Sequence, residues 1–185
     1  MITDLMFDLE TLGTTADAAI LSIGVAALDA HDHIHTTEIH LELDEQLTVG
    51  RLARRVDANT LLWWLAQGDA ARSNQTDAQR TPVGDAVKQL TAWCDSVGVN
   101  DRTLAWGNGS DFDLATMNHL YKQHGLQTPW HFWNHRCFRT VKAMYKNVQK
   151  PAANDHRAVQ DAINQLLHLC LIRQFVKDNE QKVKV

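Results

Sequence analysis

The sequence predicts one α/β domain, and three features of the chain support that prediction. Apolar stretches at residues 2–9, 18–28 and 33–43 resemble β-strands, and their short connections predict an antiparallel meander. Helical patterns then alternate with short buried strands, as in α/β domains. The 185 residues, 44% apolar and 22% charged, suit a single soluble domain with a substantial core. We place this domain at residues 1–178, with a loose tail at 179–185.

Capping residues and periodicity predict the elements after the meander. Asp57 suits an N-cap before an apolar helical turn, and Pro82 suits the first position of an amphipathic helix. Residues 103–106 form a short apolar run, which predicts a buried strand. Residues 136–146 are predicted to be helical, and a long final helix is expected to open at Asp155 or His156.

Composition limits the kind of protein this chain can be. Its three cysteines are odd in number and widely spaced, which argues against a disulfide framework or a zinc site. No signal-peptide pattern and no apolar run of membrane length occur, so we expect a cytoplasmic protein without a membrane partner. The net charge of −4 disfavours coating of nucleic acid by charge alone. It still permits an enzyme that grips a strand end with the help of metal ions.

Two carboxylates on the first strand are the first indication of chemistry. Asp8 and Glu10 are two positions apart in an apolar run, so their side chains point to the same face of the strand. Two adjacent like charges on a core strand are costly unless a cation compensates them, and carboxylate oxygens suit magnesium or manganese. The alternative is that both groups lie at an exposed strand end and are simply hydrated.

A second acidic segment follows the predicted strand at residues 103–106. Its two candidates are Asp111 and Asp113. Asp113 comes directly after Phe112, which could anchor it, and a helix start there would aim its carboxylate back at the strand ends. Asp111 has the alternative role of a helix cap. We therefore favour Asp113 as the functional carboxylate.

A third acidic group lies in the predicted final helix. Asp161 sits beside the apolar stripe of that helix, where an unpaired carboxylate would be unfavourable. His156 precedes it by five residues, a spacing that turns away from the Asp161 face on an ideal helix. We therefore expect His156 in the first turn or in the preceding loop. A structural or solvated histidine is the alternative.

Three motifs in this order, D-L-E-T, N-x-x-x-F-D and H-x-x-x-x-D, resemble those of the DEDDh family of 3′–5′ exonucleases. They are Asp8 to Thr11, Asn108 to Asp113 and His156 to Asp161. The chain is most similar to the exonuclease VIII and phage-type branch, through residues 7–14, 19–24, 60–64, 106–109 and 136–140. The resemblance implies a ribonuclease H-like mixed sheet, in which short parallel strands extend the meander and helices flank both.

The resemblance also implies a mechanism and a site. Asp8, Glu10, Asp113 and Asp161 would hold two Mg²⁺ or Mn²⁺ ions, and His156 would be the general base. Such a site would hydrolyse phosphodiester bonds from the 3′ end of single-stranded nucleic acid and release nucleoside 5′-monophosphates. DNA is slightly favoured, and the alternative is trimming of RNA ends. An alternative of another class is a non-catalytic nucleic-acid-binding module, which we expect to have lost acidic ligands.

Substrate contacts are predicted at three positions. Thr11 and Leu12 resemble residues that touch the terminal nucleotide in such enzymes, with Thr11 near the 3′-hydroxyl and Leu12 against the last base. Their alternative role is ordinary packing at the strand end. Arg139 belongs to a basic stripe that could guide the phosphate backbone, although such stripes are often only solvated. The partner is thus a nucleic-acid 3′ end, and a homo-oligomer is compatible with the sequence.

Overall fold

A computed structural model describes residues 1–151 and 156–183, with side chains described as far as Glu180. Its strands are β1 (Ile2–Thr11), β2 (Ile20–Asp29), β3 (Ile34–Leu41), β4 (Arg80–Thr81), β5 (Leu104–Gly107) and β6 (His135–Cys137). Its α-helices are α1 (Asp44–Leu47), α2 (Ala58–Leu65), α3 (Asp69–Thr76), α4 (Val83–Val97), α5 (Asp113–Gln123), α6 (Phe138–Met144) and α7 (Ala158–Val183).

The six strands form one mixed sheet in the order β4-β3-β2-β1-β5-β6. Strands β1, β2 and β3 pair antiparallel, which confirms the predicted meander. Strands β5 and β6 extend the sheet parallel to β1, and β4 pairs parallel with β3. The predicted α/β mixed sheet flanked by helices is therefore confirmed.

Helices cover both faces of this sheet, and each face has its own core. On one face, α4 and α5 pack against odd-numbered side chains of β1, among them Leu5 and Phe7. On the other face, α6 and α7 cover the even-numbered side chain Met6. Alternate residues of a strand share a face. Asp8 and Glu10 therefore lie on the side of the sheet that faces α7.

Two stretches differ from the sequence prediction. The helix predicted over residues 136–146 is shorter, because His135–Cys137 forms strand β6 and only Phe138–Met144 is helical. Pairing of β6 with the edge of β5 overrides the helical pattern there. The final helix extends to Val183, so residues 179–183 continue α7 and do not begin a separate segment at residue 179.

The start of the final helix lies close to a gap in the description. Asp155, one of the two predicted starting residues, lies outside the described residues. His156 precedes α7, which begins at Ala158. Within the described parts of the chain, none of the helices combines the length and the apolar character needed to cross a membrane.

Candidate active site

The five predicted catalytic residues lie around one small cleft of about 200 Å³. They are Asp8, Glu10, Asp113, His156 and Asp161. Strand β1 provides the first two, the start of α5 the third, and the chain entering α7 and its first turn the last two. Residues more than 150 positions apart in the sequence thus meet at the ends of β1 and β5.

Helix α7 runs beside β1 with matching spacing. Arg173 donates hydrogen bonds of 2.7 and 2.8 Å to Asp4, and Gln165 donates one of 2.6 Å to Asp8. Four helical residues rise about 6 Å, close to the rise of about 6.6 Å for two strand residues. Two helical turns thus separate Arg173 from Gln165, and one further turn leads to Asp161. The same repeat that anchors α7 brings Asp161 to the β1 carboxylates.

A glycine allows α7 to approach the sheet this closely. A Cβ atom at Gly24 would lie 2.1 Å from the Ala158 carbonyl carbon and 2.2 Å from the Val159 nitrogen. Both are backbone atoms at the start of α7, and neither can move without moving the helix. The absence of a side chain at Gly24 therefore sets the position of the segment that holds His156 and Asp161.

Asp113 is held against the end of β5 by close backbone contacts. Backbone N–H groups of Leu9, Asn108 and Gly109 favour its charged form and lower its pKa against the effect of burial. A Cβ atom at Gly107 would lie 2.9 Å from the Asp113 Cβ and Oδ2 atoms, so only glycine leaves room for this arrangement. The Asp113 residue is 5% exposed. The end of β5 thus fixes this carboxylate on three sides.

The structure separates the two candidates in this acidic segment. Asp113 lines the cleft, whereas Asp111 is exposed and is not among the residues that line it. The expected capping role of Asp111 is wrong, because helix α5 begins at Asp113 after Phe112 and has no side-chain cap. The main-chain carbonyl of Gly109 instead accepts hydrogen bonds from the Phe112 and Asp113 N–H groups.

His156 lies in the loop before α7, which is one of the two placements that the sequence predicts. Its backbone has a left-handed conformation, with φ of 56°. Its ring meets Trp63 edge-on at a centroid distance of 5.1 Å and Trp64 at 6.3 Å. One of its ring nitrogens and carboxylate oxygens of Glu10 and Asp161 all lie within 4.8 Å of one another. Helix α2 therefore supports the histidine through the rings of Trp63 and Trp64.

Burial raises the pKa of two site carboxyls, Asp8 and Asp113, and repulsion by neighbouring carboxylates adds to this at Asp8. Burial, followed by the charges of Asp113, Glu10 and Asp161, raises the pKa of Asp8 well above its usual value. Burial raises the pKa of Asp113 to about 7, although its backbone hydrogen bonds and the charge of Arg139 oppose this shift. Four carboxylates in one cleft thus resist full ionisation on their own.

A bound divalent cation would offset the repulsion between these carboxylates. The cleft offers carboxylate oxygens from four residues, which suit hard cations such as Mg²⁺ and Mn²⁺. Glu10, His156 and Asp161 already place one potential ligand atom each within 4.8 Å of the others. The donor set and the raised pKa values therefore both fit binding of divalent metal ions.

The contribution of Asp113 to the stability of the metal-free protein should fall as the pH rises from about 4 to about 7, and bound divalent cations should reverse this loss. A carboxyl whose pKa is raised from 3.8 to about 7 in the folded state binds a proton there that it loses on unfolding. The contribution of this carboxyl to the free energy of unfolding is complete below a pH of about 4 and is lost as the pH rises to about 7. At saturation near one hundred times Kd, Mn²⁺ should raise Tm by roughly 5–10 °C at pH 8 and by less at pH 5.5. Differential scanning fluorimetry with matched ionic strength measures this, and an equal gain at both pH values would contradict it.

The predicted nucleotide contacts at Thr11 and Leu12 have different surroundings. Leu12 is 8% exposed and packs in a small apolar cluster. Thr11 donates its hydroxyl to the Gly13 carbonyl at 2.7 Å and accepts from Trp64 Nε1 at its own carbonyl, at 2.9 Å. Thr11 lines a second cleft of about 630 Å³ beside the carboxylates. We call it the aromatic cleft, lined by Glu10, Thr11, Asp57, Trp63, Trp64 and Phe112.

Arg139, predicted as a contact to the phosphate backbone, lies at the carboxylate cleft. It lines the cleft, and a Cβ atom at Gly109 would lie 2.9 Å from its guanidinium. Sequence reasoning missed Gln165, which donates to Asp8, and assigned no role to the motif residue Asn108, which lines the cleft. The available signal for Gln165 was its position one helical turn after Asp161, on the same face of the helix.

Solved structures with the same fold are exonucleases and a related nuclease. The chain superposes on Escherichia coli exonuclease I bound to a dT13 oligonucleotide with a TM-score of 0.64 and 12% identity. That match covers 97% of this chain and 43% of exonuclease I, so the chain spans less than half of that protein. Cell-death related nuclease 4 matches with a TM-score of 0.53 and 15% identity, over 94% of this chain and 64% of that one. These likenesses confirm the ribonuclease H-like fold.

Sequence comparisons identify the family. An exodeoxyribonuclease of Enterobacteria phage T4 is 24% identical over 160 residues, which cover 74% of this chain and 69% of the phage protein. A family model described as the 3′–5′ exoribonuclease Rv2179c-like domain matches residues 3–172. The predicted membership of the 3′–5′ exonucleases is thereby confirmed. The cleft of four carboxylates and its histidine accordingly belong to a member of the Rv2179c-like family of 3′–5′ exonuclease domains.

Proposed function

We propose that the protein hydrolyses phosphodiester bonds from the 3′ end of single-stranded nucleic acid and releases nucleoside 5′-monophosphates. The observation that carries this proposal is the meeting of Asp8, Glu10, Asp113 and Asp161 with His156 in one cleft. A non-catalytic module would not need to keep four buried or half-buried carboxylates whose mutual repulsion raises the pKa of Asp8.

The side chains of the cleft divide the work by their chemistry. Asp8, Glu10, Asp113 and Asp161 would hold two Mg²⁺ or Mn²⁺ ions. Such ions, when bound, make water more acidic and offset negative charge on a reacting phosphate. His156 takes the proton of the attacking water, because its ring lies next to the carboxylates and an imidazole accepts protons near neutral pH. Arg139 offers its guanidinium to the phosphate at the rim of the cleft.

Both DNA and RNA are candidate substrates. The T4 relative is an exodeoxyribonuclease, and this supports the single-stranded DNA end that the sequence slightly favoured. The matching family model describes exoribonuclease domains, and this supports RNA trimming as the second candidate. Direct comparison of the two substrates at equal length and sequence decides between them, since only RNA carries a 2′-hydroxyl that a site can read.

The test is incubation of 5′-labelled single-stranded DNA and RNA with the protein in Mg²⁺, Mn²⁺ or EDTA. We expect a ladder that shortens from the 3′ end in either metal and no cleavage in EDTA. The ratio of kcat/KM for the two labelled strands gives the sugar preference. Failure to shorten both substrates in the presence of metal would overturn the proposal and favour a binding module.

Replacement of His156 by alanine should lower the exonuclease rate by roughly 10²–10⁴-fold, the range expected for a lost general base. The variant should still gain Tm on addition of Mn²⁺, because the carboxylates remain to hold the ion. His31→Ala is a matched control, since His31 is exposed on the turn between β2 and β3. A rate loss below tenfold would indicate a structural histidine, and loss of the Mn²⁺ effect would indicate a metal ligand.

A further inference from the structure

A third cleft opens on the other side of the carboxylates, and it is basic. It has a volume of about 640 Å³ and is lined by three lysines, Lys142, Lys146 and Lys150, with Asn108, Gln165 and His168. We call it the lysine cleft. Among the described residues that line it, none is acidic. This charge pattern suits an anion that extends over more than one cationic group.

The lysine cleft adjoins the carboxylate cleft. Asn108 lines both clefts and accepts a hydrogen bond of 2.7 Å from Lys142 Nζ at its Oδ1 atom. Gln165, on the same wall, donates to Asp8 at 2.6 Å. A chain that crosses the carboxylates can therefore pass directly between the lysines.

Lys142 and Lys150, which line the same cleft, lie close enough to each other to interact. Burial, followed by the positive charges of Arg139 and Lys150, lowers the pKa of Lys142. Cations that repel one another in this way are stabilised when an anion binds between them. A phosphodiester backbone is such an anion, and its negative charges recur along the strand.

The aromatic cleft on the opposite side has the reverse character. Its described lining includes the acidic residues Glu10 and Asp57 and no lysine or arginine. A row of phosphates would be repelled there, whereas a single nucleoside offers an apolar base to Trp63. The two clefts therefore differ in which part of a nucleic acid they can accept.

We infer that the lysine cleft binds the phosphates on the 5′ side of the scissile bond, so that the strand enters past Lys150, Lys146 and Lys142 and its 3′-terminal nucleoside lies towards the aromatic cleft. This inference rests on the proposed exonuclease function and gives that site a direction. It assigns affinity for long strands to backbone charge, which is independent of base sequence.

Equilibrium binding in EDTA tests the inference without cleavage. Anisotropy of a 5′-labelled decanucleotide gives Kd at salt concentrations between about 50 and 200 mM. Over this range the added salt weakens single-strand binding roughly 18-fold for a protein that makes three phosphate contacts, and roughly 3-fold for a protein that makes one. Wild type should therefore lose affinity steeply with salt, and K146Q/K150Q should lose it much less. The double variant K88Q/K122Q is the charge-matched control, since α4 and α5 cover the opposite face of the sheet.

Kinetics in Mn²⁺ add a second readout. The ratio of kcat/KM for the decanucleotide to that for a dinucleotide, which has no phosphate beyond the scissile one, should fall in K146Q/K150Q and remain at the wild-type value in K88Q/K122Q. Equal salt dependence of Kd for wild type and K146Q/K150Q would overturn the inference that the lysine cleft binds phosphates. An equal fall of the kcat/KM ratio in both double variants would also overturn it. Absence of cleavage by the wild-type protein would instead overturn the proposed function, so the two failures are distinguishable.

Discussion

Replacement of Asp113 by asparagine should lower the exonuclease rate by roughly 10²–10³-fold, the scale on which removal of one preorganised electrostatic group acts. The amide removes a charged cation ligand from the cleft. It also removes the repulsion with Asp8, although its NH₂ group then faces backbone N–H donors. We expect the loss of repulsion and the unfavourable contact of the NH₂ group with N–H donors to nearly cancel. The Tm in the absence of metal should therefore change by no more than roughly 4 °C.

The matched control is Asp111→Asn, two positions earlier in the same segment. Asp111 is exposed and lies outside the cleft. The exonuclease rate of the Asp111→Asn variant should therefore stay within roughly twofold of wild type, as for ordinary surface substitutions. Rates on a labelled strand and Tm by scanning fluorimetry are measured for both variants. A large rate loss in Asp111→Asn with none in Asp113→Asn would reverse the assignment of the third carboxylate.

Replacement of Gly24 by alanine should destabilise the protein by about 3 kcal/mol or more, at the upper end for overpacked sites. The new methyl would meet the Ala158 and Val159 backbone, and relief requires displacement of the start of α7. Because His156 and Asp161 are carried by that segment, the exonuclease rate should fall with stability. Urea unfolding gives the free energy, and the rate is measured below the unfolding transition.

A second glycine provides the control for this prediction. Gly84 lies in helix α4, and a Cβ atom there would approach no described atom more closely than His124 Nδ1, at 3.7 Å. Gly84→Ala should therefore leave stability unchanged or raise it by about 0.5–1 kcal/mol, the cost of glycine in a helix. If Gly24→Ala unfolds at the same urea concentration as wild type, the tight packing of α7 on β2 is not a determinant of the fold.

Local periodicity predicted much of the site. The two-residue spacing of Asp8 and Glu10 places them on one face of β1, whatever packs against that face. The apolar stripe beside Asp161 likewise indicated a carboxylate at the inner surface of the last helix. The helix over residues 136–146 was only partly correct, because edge pairing with β5 draws His135–Cys137 into the sheet. Strand pairing depends on a partner that is distant in sequence.

The sequence by itself determined the three-strand meander, the shared face of Asp8 and Glu10, and the order of the three motifs. Each follows from the geometry within one element, where side-chain direction repeats every 2 or 3.6 residues. Only the tertiary structure placed Asp113 and not Asp111 at the cleft, showed that Leu12 is buried, and brought Gln165 beside Asp8. These depend on how closely separate elements approach, which packing at Gly24 and Gly107 controls and periodicity does not encode.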